Sequence, residues 1–215
     1  HQRHHGLSRL NRPSESNMRH LTLLILGITF ALGGPAMAAD KCKYEKHGVD
    51  SFTKQMVAET KWKSFQNFFD NQDNRGWTAA RSEGGKQFLG LKIVVVDRDS
   101  TMPERANLHE NRVLIPQGAK LLVLMADDTI LELAASAKAR GKSDFRVPDS
   151  RTGHPETYVV ETTTVVWYEL TADTQDALLA QGVSDIRLSA SNRDHDFAFG
   201  ENQTDRIQYV LGCIQ

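Results

Sequence analysis

The chain has 215 residues, with 26 basic against 27 acidic side chains and only two cysteines. That length is enough to bury a core, the charge balance argues against a nucleic-acid binder, and the cysteine count excludes a disulfide-dense scaffold.

Residues His1 to Asn17 precede the first methionine and are rich in His, Arg and Ser. They read as an over-extended start or a tag without order of its own and are set aside. From Met18 to Ala38 the order is that of a secretory signal peptide. Met18, Arg19 and His20 give a basic start, Leu21 to Leu32 an apolar run, Gly33, Gly34 and Pro35 a break, and Ala36-Met37-Ala38 the small residues of a peptidase site. Cleavage is expected before Ala39. The apolar run is shorter than the ~20 residues that span a bilayer, and Asp40 and Lys41 before Cys42 are unsuited to lipoprotein processing, so no stable membrane anchor is expected after cleavage. The first 38 residues hold Arg3, Arg9, Arg12 and Arg19 against Glu15, so residues 39–215 keep 22 basic and 26 acidic side chains, a net charge of −4. These residues are expected to form a single exported domain, periplasmic or secreted.

Cys42 and Cys213 stand near the two ends of that domain. In an oxidising compartment they are expected to pair. Each falls on the apolar face of a period-2 segment, Cys42 with Tyr44 and Cys213 with Ile207, Tyr209 and Leu211, so two adjacent terminal strands would bring them within bonding distance.

Between them the apolar residues come in short runs bounded by Gly, Pro, Asn and Asp, and Val, Ile, Thr and Tyr dominate, which predicts a mainly β domain. Residues 44–49 and 55–63 read as a hairpin turning at Asp50-Ser51-Phe52-Thr53, with Met56, Ala58, Thr60 and Trp62 on its inner face. Runs 88–96 and 121–125 read as covered strands. Pro116 and Gly118 mark a turn, as do Asp127 and Asp128. Residues 130–140 fit a short strand running into irregular structure, and also a helix capped by Thr129 and Glu132 and stopped by Gly141. Residues 143–155 read as an exposed loop. The longest strand is 158–170, with Tyr158, Val160, Thr162, Thr164, Val166, Tyr168 and Leu170 on one face. The best-defined helix is 172–181, with Thr171 as N-cap and Asp173 in its first turn. Residues 183–190 return as a strand, and 191–202 read as a polar loop. The fold class is therefore α+β, mainly antiparallel β, as a sandwich or partly closed barrel with one well-defined helix.

The densest polar cluster is Asn192-Arg193-Asp194-His195-Asp196. Asp194 or Asp196 beside His195 are candidate catalytic residues, because a carboxylate orients a histidine base or helps hold a metal; the alternative is a solvated loop. The remaining histidines of the domain, His47, His109 and His154, lack zinc spacing, and no metal site or cofactor is assigned. Residues Asp70 to Gly76 resemble a calcium loop only in composition, since Arg75 stands where the tight turn requires glycine. Trp62, Phe65 and Phe69 form an aromatic stripe at helical spacing, a candidate binding surface that also fits a core. No nucleophile elbow, P-loop or dinucleotide fingerprint occurs.

Asp50-x-Phe52-Thr53, together with Tyr168-x-Leu170-Thr171 leading through Leu178 and Gly182-Val183 to Ile186-Arg187, resembles patterns of uncharacterised bacterial exported proteins. The resemblance implies an exported β-rich fold and carries no activity. The function expected is that of a non-enzymatic binding protein with a protein or small-molecule partner in the cell envelope, an inhibitor of a secreted enzyme being one version. A hydrolase or metal-dependent enzyme built on His195 is the alternative.

Overall fold

The computed structural model describes residues 42–66, 74–99, 113–146, 158–191 and 193–215. The expected leader, the segment before it, Phe69, residues 70–73, His109 and His154 lie outside the described residues.

Eleven strands and two helices follow in chain order among these residues: β1 (Tyr44–Val49), β2 (Met56–Thr60), β3 (Lys63–Ser64), β4 (Arg75–Glu83), β5 (Lys86–Asp99), β6 (Lys120–Met125), β7 (Ile130–Ala134), β8 (Lys142–Arg146), β9 (Tyr158–Leu170), α1 (Ala172–Ala180), β10 (Val183–Ser189), β11 (Asp194–Ala198) and α2 (Arg206–Gly212). Seven strands form one antiparallel sheet in the order β1-β2-β4-β5-β9-β8, with β3 beside β2 on the same edge of β4; four form a second, β11-β10-β6-β7. The larger sheet curls into a half-barrel. Its spine is the long β5-β9 pairing, thirteen residue pairs from Gln87↔Leu170 to Asp99↔Tyr158.

Period-2 alternation decides what each sheet buries. Leu89, Leu91, Ile93 and Val95 of β5 and Val166, Tyr168 and Leu170 of β9 point inward and meet Leu121, Val123 and Met125 of β6, Ile186 and Leu188 of β10 and Phe197 of β11 in one continuous core. At the turn between β4 and β5, Gly84 and Gly85 both adopt positive φ, the type I′ pattern that matches the right-handed strand twist in a two-residue connection. Helix α1 begins as its sequence predicts, the Thr171 hydroxyl accepting a 3.2 Å hydrogen bond from the Thr174 N–H, and buries Leu178.

Several local expectations are corrected. Residues 207–213 form helix α2 and its C-cap instead of a strand. Ile207, Val210, Leu211 and Ile214 recur at i, i+3, i+4 and i+7 as well as alternating in part, and packing against β4, β3 and α1 selects the helical face. Residues 194–198 are strand β11 and not loop, held to β10 by five residue pairs and by a bidentate Arg187–Asp196 ion pair at 2.7 and 2.9 Å. Lys142 to Arg146 is likewise a strand, on the edge of β9. Residues 130–134 resolve the strand-or-helix ambiguity as β7, followed by irregular structure. The expected inner face of β2 holds for Thr60 and Ala58, while Met56 is exposed. Trp62 changes sides because pairing with β4 advances four residues from Glu59 to Lys63 against three from Arg81 to Thr78, and the extra residue resets the alternation.

Cys42 and Cys213 are joined in a disulfide with their Cα atoms 5.7 Å apart, closing a separation of 171 residues. Chain entropy assigns a loop of that length about 5 kcal/mol of stabilisation at most. Cys213→Ser is therefore expected to lower the unfolding free energy by about 2–5 kcal/mol, measured by urea denaturation against the oxidised parent. Tyr168 is a second test of the core. Its ring is fully buried, its hydroxyl has no hydrogen-bond partner among the described residues, and burial holds the phenol above its usual pKa. Tyr168→Phe should raise stability by about 1 kcal/mol by removing an unmet donor; a loss in the same melts would reveal a bonded hydroxyl.

Candidate functional site

The disulfide fixes more than the chain ends. Cys42 stands two residues before the edge hairpin β1-β2, and the Tyr44 hydroxyl donates a 2.8 Å hydrogen bond to the Cys213 carbonyl. The base of the hairpin is thus bonded to the segment after α2 by one covalent link and one hydrogen bond.

Its far end is ordered by Asp50. Asp50 Oδ1 accepts from the Phe52 N–H at 3.0 Å, the Thr53 N–H at 2.9 Å and the Thr53 hydroxyl at 3.2 Å, while Oδ2 accepts from Lys46 Nζ at 3.0 Å. The main chain closes the same turn through Asp50 N–H to the Gln55 carbonyl and Lys54 N–H to the Asp50 carbonyl. Lys54 takes a positive φ of 58° to complete it. An aspartate capping its own turn in this way lowers the number of conformations the tip samples. The Thr53 N–H, Lys46 and the Phe52 N–H together hold the Asp50 carboxyl well below the usual carboxylate range.

This ordered tip displays apolar side chains to solvent. Phe52 is 93% exposed, and the cross-strand pair Val49 and Met56 is 67% and 51% exposed. They are three of the five large hydrophobic residues exposed among the described residues, the others being Ile130 and Val165 on different elements. Full burial of such a side chain is worth about 1.5–3 kcal/mol. The fold collects none of that at Phe52.

The residues singled out from sequence lie elsewhere. His195 is 4% exposed on the inward face of β11, paired with Leu188, whereas Asp194 and Asp196 of the same strand point outward. Alternation therefore separates the imidazole from both neighbouring carboxylates. Asp196 is engaged by Arg187, whose hydrogen bonds lower its pKa, as the carboxylate in turn raises that of Arg187. Among the described residues no group of three His, Cys, Asp or Glu side chains is placed to hold a metal ion. Phe65 is fully buried, stacked on Phe199 at 4.4 Å and edge-on to Phe197 at 6.2 Å, so it pins the two sheets together. Trp62 stands apart from it on the outer face of the larger sheet, against Trp167. His47 packs on Tyr44 at the side of the hairpin. The sequence places Phe52 in a turn, and its one local signal there is a large aromatic where turn chemistry calls for polar residues.

Because the Asp50 pKa is depressed in the folded chain, the order it confers is present above about pH 4, the unperturbed aspartate range, and is lost as pH falls through the folded value. Amide hydrogen exchange at Phe52 and Thr53 should accelerate relative to the core strands on acidification below that point, and Asp50→Ala should show the same loosening at neutral pH. No family model, no curated protein and no solved structure matches this chain.

Proposed function

We propose that this chain is an exported, non-enzymatic binding protein that inserts the tip of its β1-β2 hairpin into an apolar pocket of a protein partner in the cell envelope. The observation that carries this reading is Phe52, almost wholly exposed on a turn held by its own aspartate and on a hairpin tied at its base by a disulfide. Affinity at a small interface is limited by the entropy of ordering the parts that touch, and a tip that is ordered beforehand avoids much of that cost. Phe and Met are among the side chains enriched at protein–protein interfaces. The cleft of a secreted enzyme is one partner of the right shape, which makes inhibition the simplest biological form of this reading.

Export is supported by the leader-like order of residues 18–38 and by the cysteine pair, since such a bond persists in oxidising compartments. Among the described residues no helix is long and apolar enough to cross a membrane. The competing enzymatic reading needs His195 beside a carboxylate, and Asp194 and Asp196 stand on the opposite face of its strand.

The test pairs recovery with affinity. The oxidised chain, immobilised and exposed to an envelope extract, is expected to retain a stoichiometric protein that Phe52→Ala does not retain. With that protein purified, the same substitution should cost about 2 kcal/mol or more of binding free energy while changing stability by less than about 0.5 kcal/mol, as an exposed site should. Equal retention by Phe52→Ala, or no stoichiometric partner at all, overturns the proposal.

A further inference from the structure

All three tryptophans of the chain lie on one surface that the hairpin does not use, the outward face of the seven-stranded sheet. Cross-strand rows place Ala79, Gly90 and Trp167 side by side on β4, β5 and β9, and Trp77, Lys92 and Val165 in the next row. Trp167 lies down over Gly90, where a Cβ would meet its six-membered ring at 2.6 Å, and a side chain at that position would lift the indole off the sheet. Trp62 joins it from the β2-β3 connection, with ring centroids 5.5 Å apart and planes tilted by 52°. Beneath these rings Ala79 is fully buried, while the indoles of Trp62, Trp77 and Trp167 stay partly open to solvent.

At the Trp62–Trp167 pair the neighbouring charges are matched within the chain, Glu169 with Lys86 at 2.9 Å and Glu59 and Glu83 with Arg81. Farther along the face Glu161 pairs with Arg75 at 2.9 Å, while Lys92 and Asp144 have no ion pair among the described residues. Arg81 also lies over Trp167 at 6.0 Å, and Lys92 over Trp77 at 5.2 Å. An ionic ligand seated on the Trp62–Trp167 rings would have to displace a partner of Arg81 or Glu169 to find its own counter-charge. A neutral ligand would not. What the face offers is flat, electron-rich rings bordered by fixed hydrogen-bond donors and acceptors, in the pattern of an apolar body with a few placed polar groups.

We propose that this face is a second binding site, independent of the hairpin, and that it takes a neutral glycan. A sugar ring presents a C–H face that packs on an indole and a rim of hydroxyls that hydrogen-bonds to guanidinium and carboxylate at the edge. The tilted Trp62–Trp167 pair would hold one ring, and Trp77 with Lys92 in the next row would extend the track along the sheet.

Isothermal titration calorimetry on the full disulfide-bonded chain tests this with cellohexaose, maltohexaose and chitohexaose as neutral probes and oligogalacturonate as the anionic comparator. At least one neutral probe is expected to bind saturably and more tightly than the anionic one. Trp167→Ala and Trp62→Ala should each weaken that binding about tenfold or more, as loss of an aromatic anchor does. Gly90→Val, which keeps every indole and displaces one, should weaken it as well, and Phe52→Ala should leave it unchanged. Thermal melts identify folded variants, and if Trp167→Ala does not fold, Trp77→Ala and Lys92→Ala at the margin carry the same expectation. Absence of heat with all the neutral probes, stronger binding of the anionic one, or binding that survives the loss of both Trp62 and Trp167 overturns the inference. None of these outcomes bears on the hairpin, whose partner is read through Phe52 alone.

Discussion

The bond between Cys42 and Cys213 is the constraint on which the arrangement of this protein depends. It joins Cys42, two residues before the first strand, to the residue after helix α2, so the edge hairpin and that helix are held together across a separation of 171 residues. Without it, β1 would keep β2 as its only sheet neighbour and the Tyr44 hydrogen bond to the Cys213 carbonyl as its tie to the C-terminal segment. An edge strand with a single neighbour is the part of a sheet most prone to fray. Covalent closure ties that weak edge to the C-terminal segment, so the hairpin is held at its base by the disulfide and at its tip by the aspartate-capped turn.

The two sheets divide the remaining work. Their facing sides are filled by aliphatic side chains, by Tyr168 and by the Phe65, Phe197 and Phe199 cluster, with no tryptophan in the shared core. Tryptophan is instead kept to the outward face of the larger sheet, where ring faces and matched ion pairs share the surface. Polar groups on that face satisfy one another at modest individual gain, since exposed ion pairs contribute little stability. Their effect is charge matching around the Trp62–Trp167 rings. Exposed apolar side chains thus cluster at the hairpin tip, while the partly open indoles share the outward face of the larger sheet.

The contrast between β11 and α2 shows how far a single sequence can be read. Residues 194–198 look like a loop because three of the five are polar or charged in succession, yet the Arg187–Asp196 pair and the inward pull of Phe197 make them an edge strand. His195 then goes into the core, and the cluster that reads as a site in one dimension is split between two faces. Residues 207–213 satisfy both a strand and a helix pattern, and only the partner surface of β4, β3 and α1 separates the two. Trp62 follows the same rule, since one residue accommodated between β2 and β3 moves it from the expected inner face to the outer one.

What the order of residues determined by itself was the antiparallel α+β character, the helix capped by Thr171, the inward set of β9 and the pairing of the only two cysteines, because each rests on local periodicity, capping chemistry or the want of any other partner. What only tertiary structure decided was which side chains remain exposed. Phe52 is left in solvent because none of the described elements folds over the hairpin tip, and Trp62 and Trp167 meet because strands distant in sequence pair in one register. Exposure is a property of everything that does or does not cover a residue, and no local stretch of sequence encodes that.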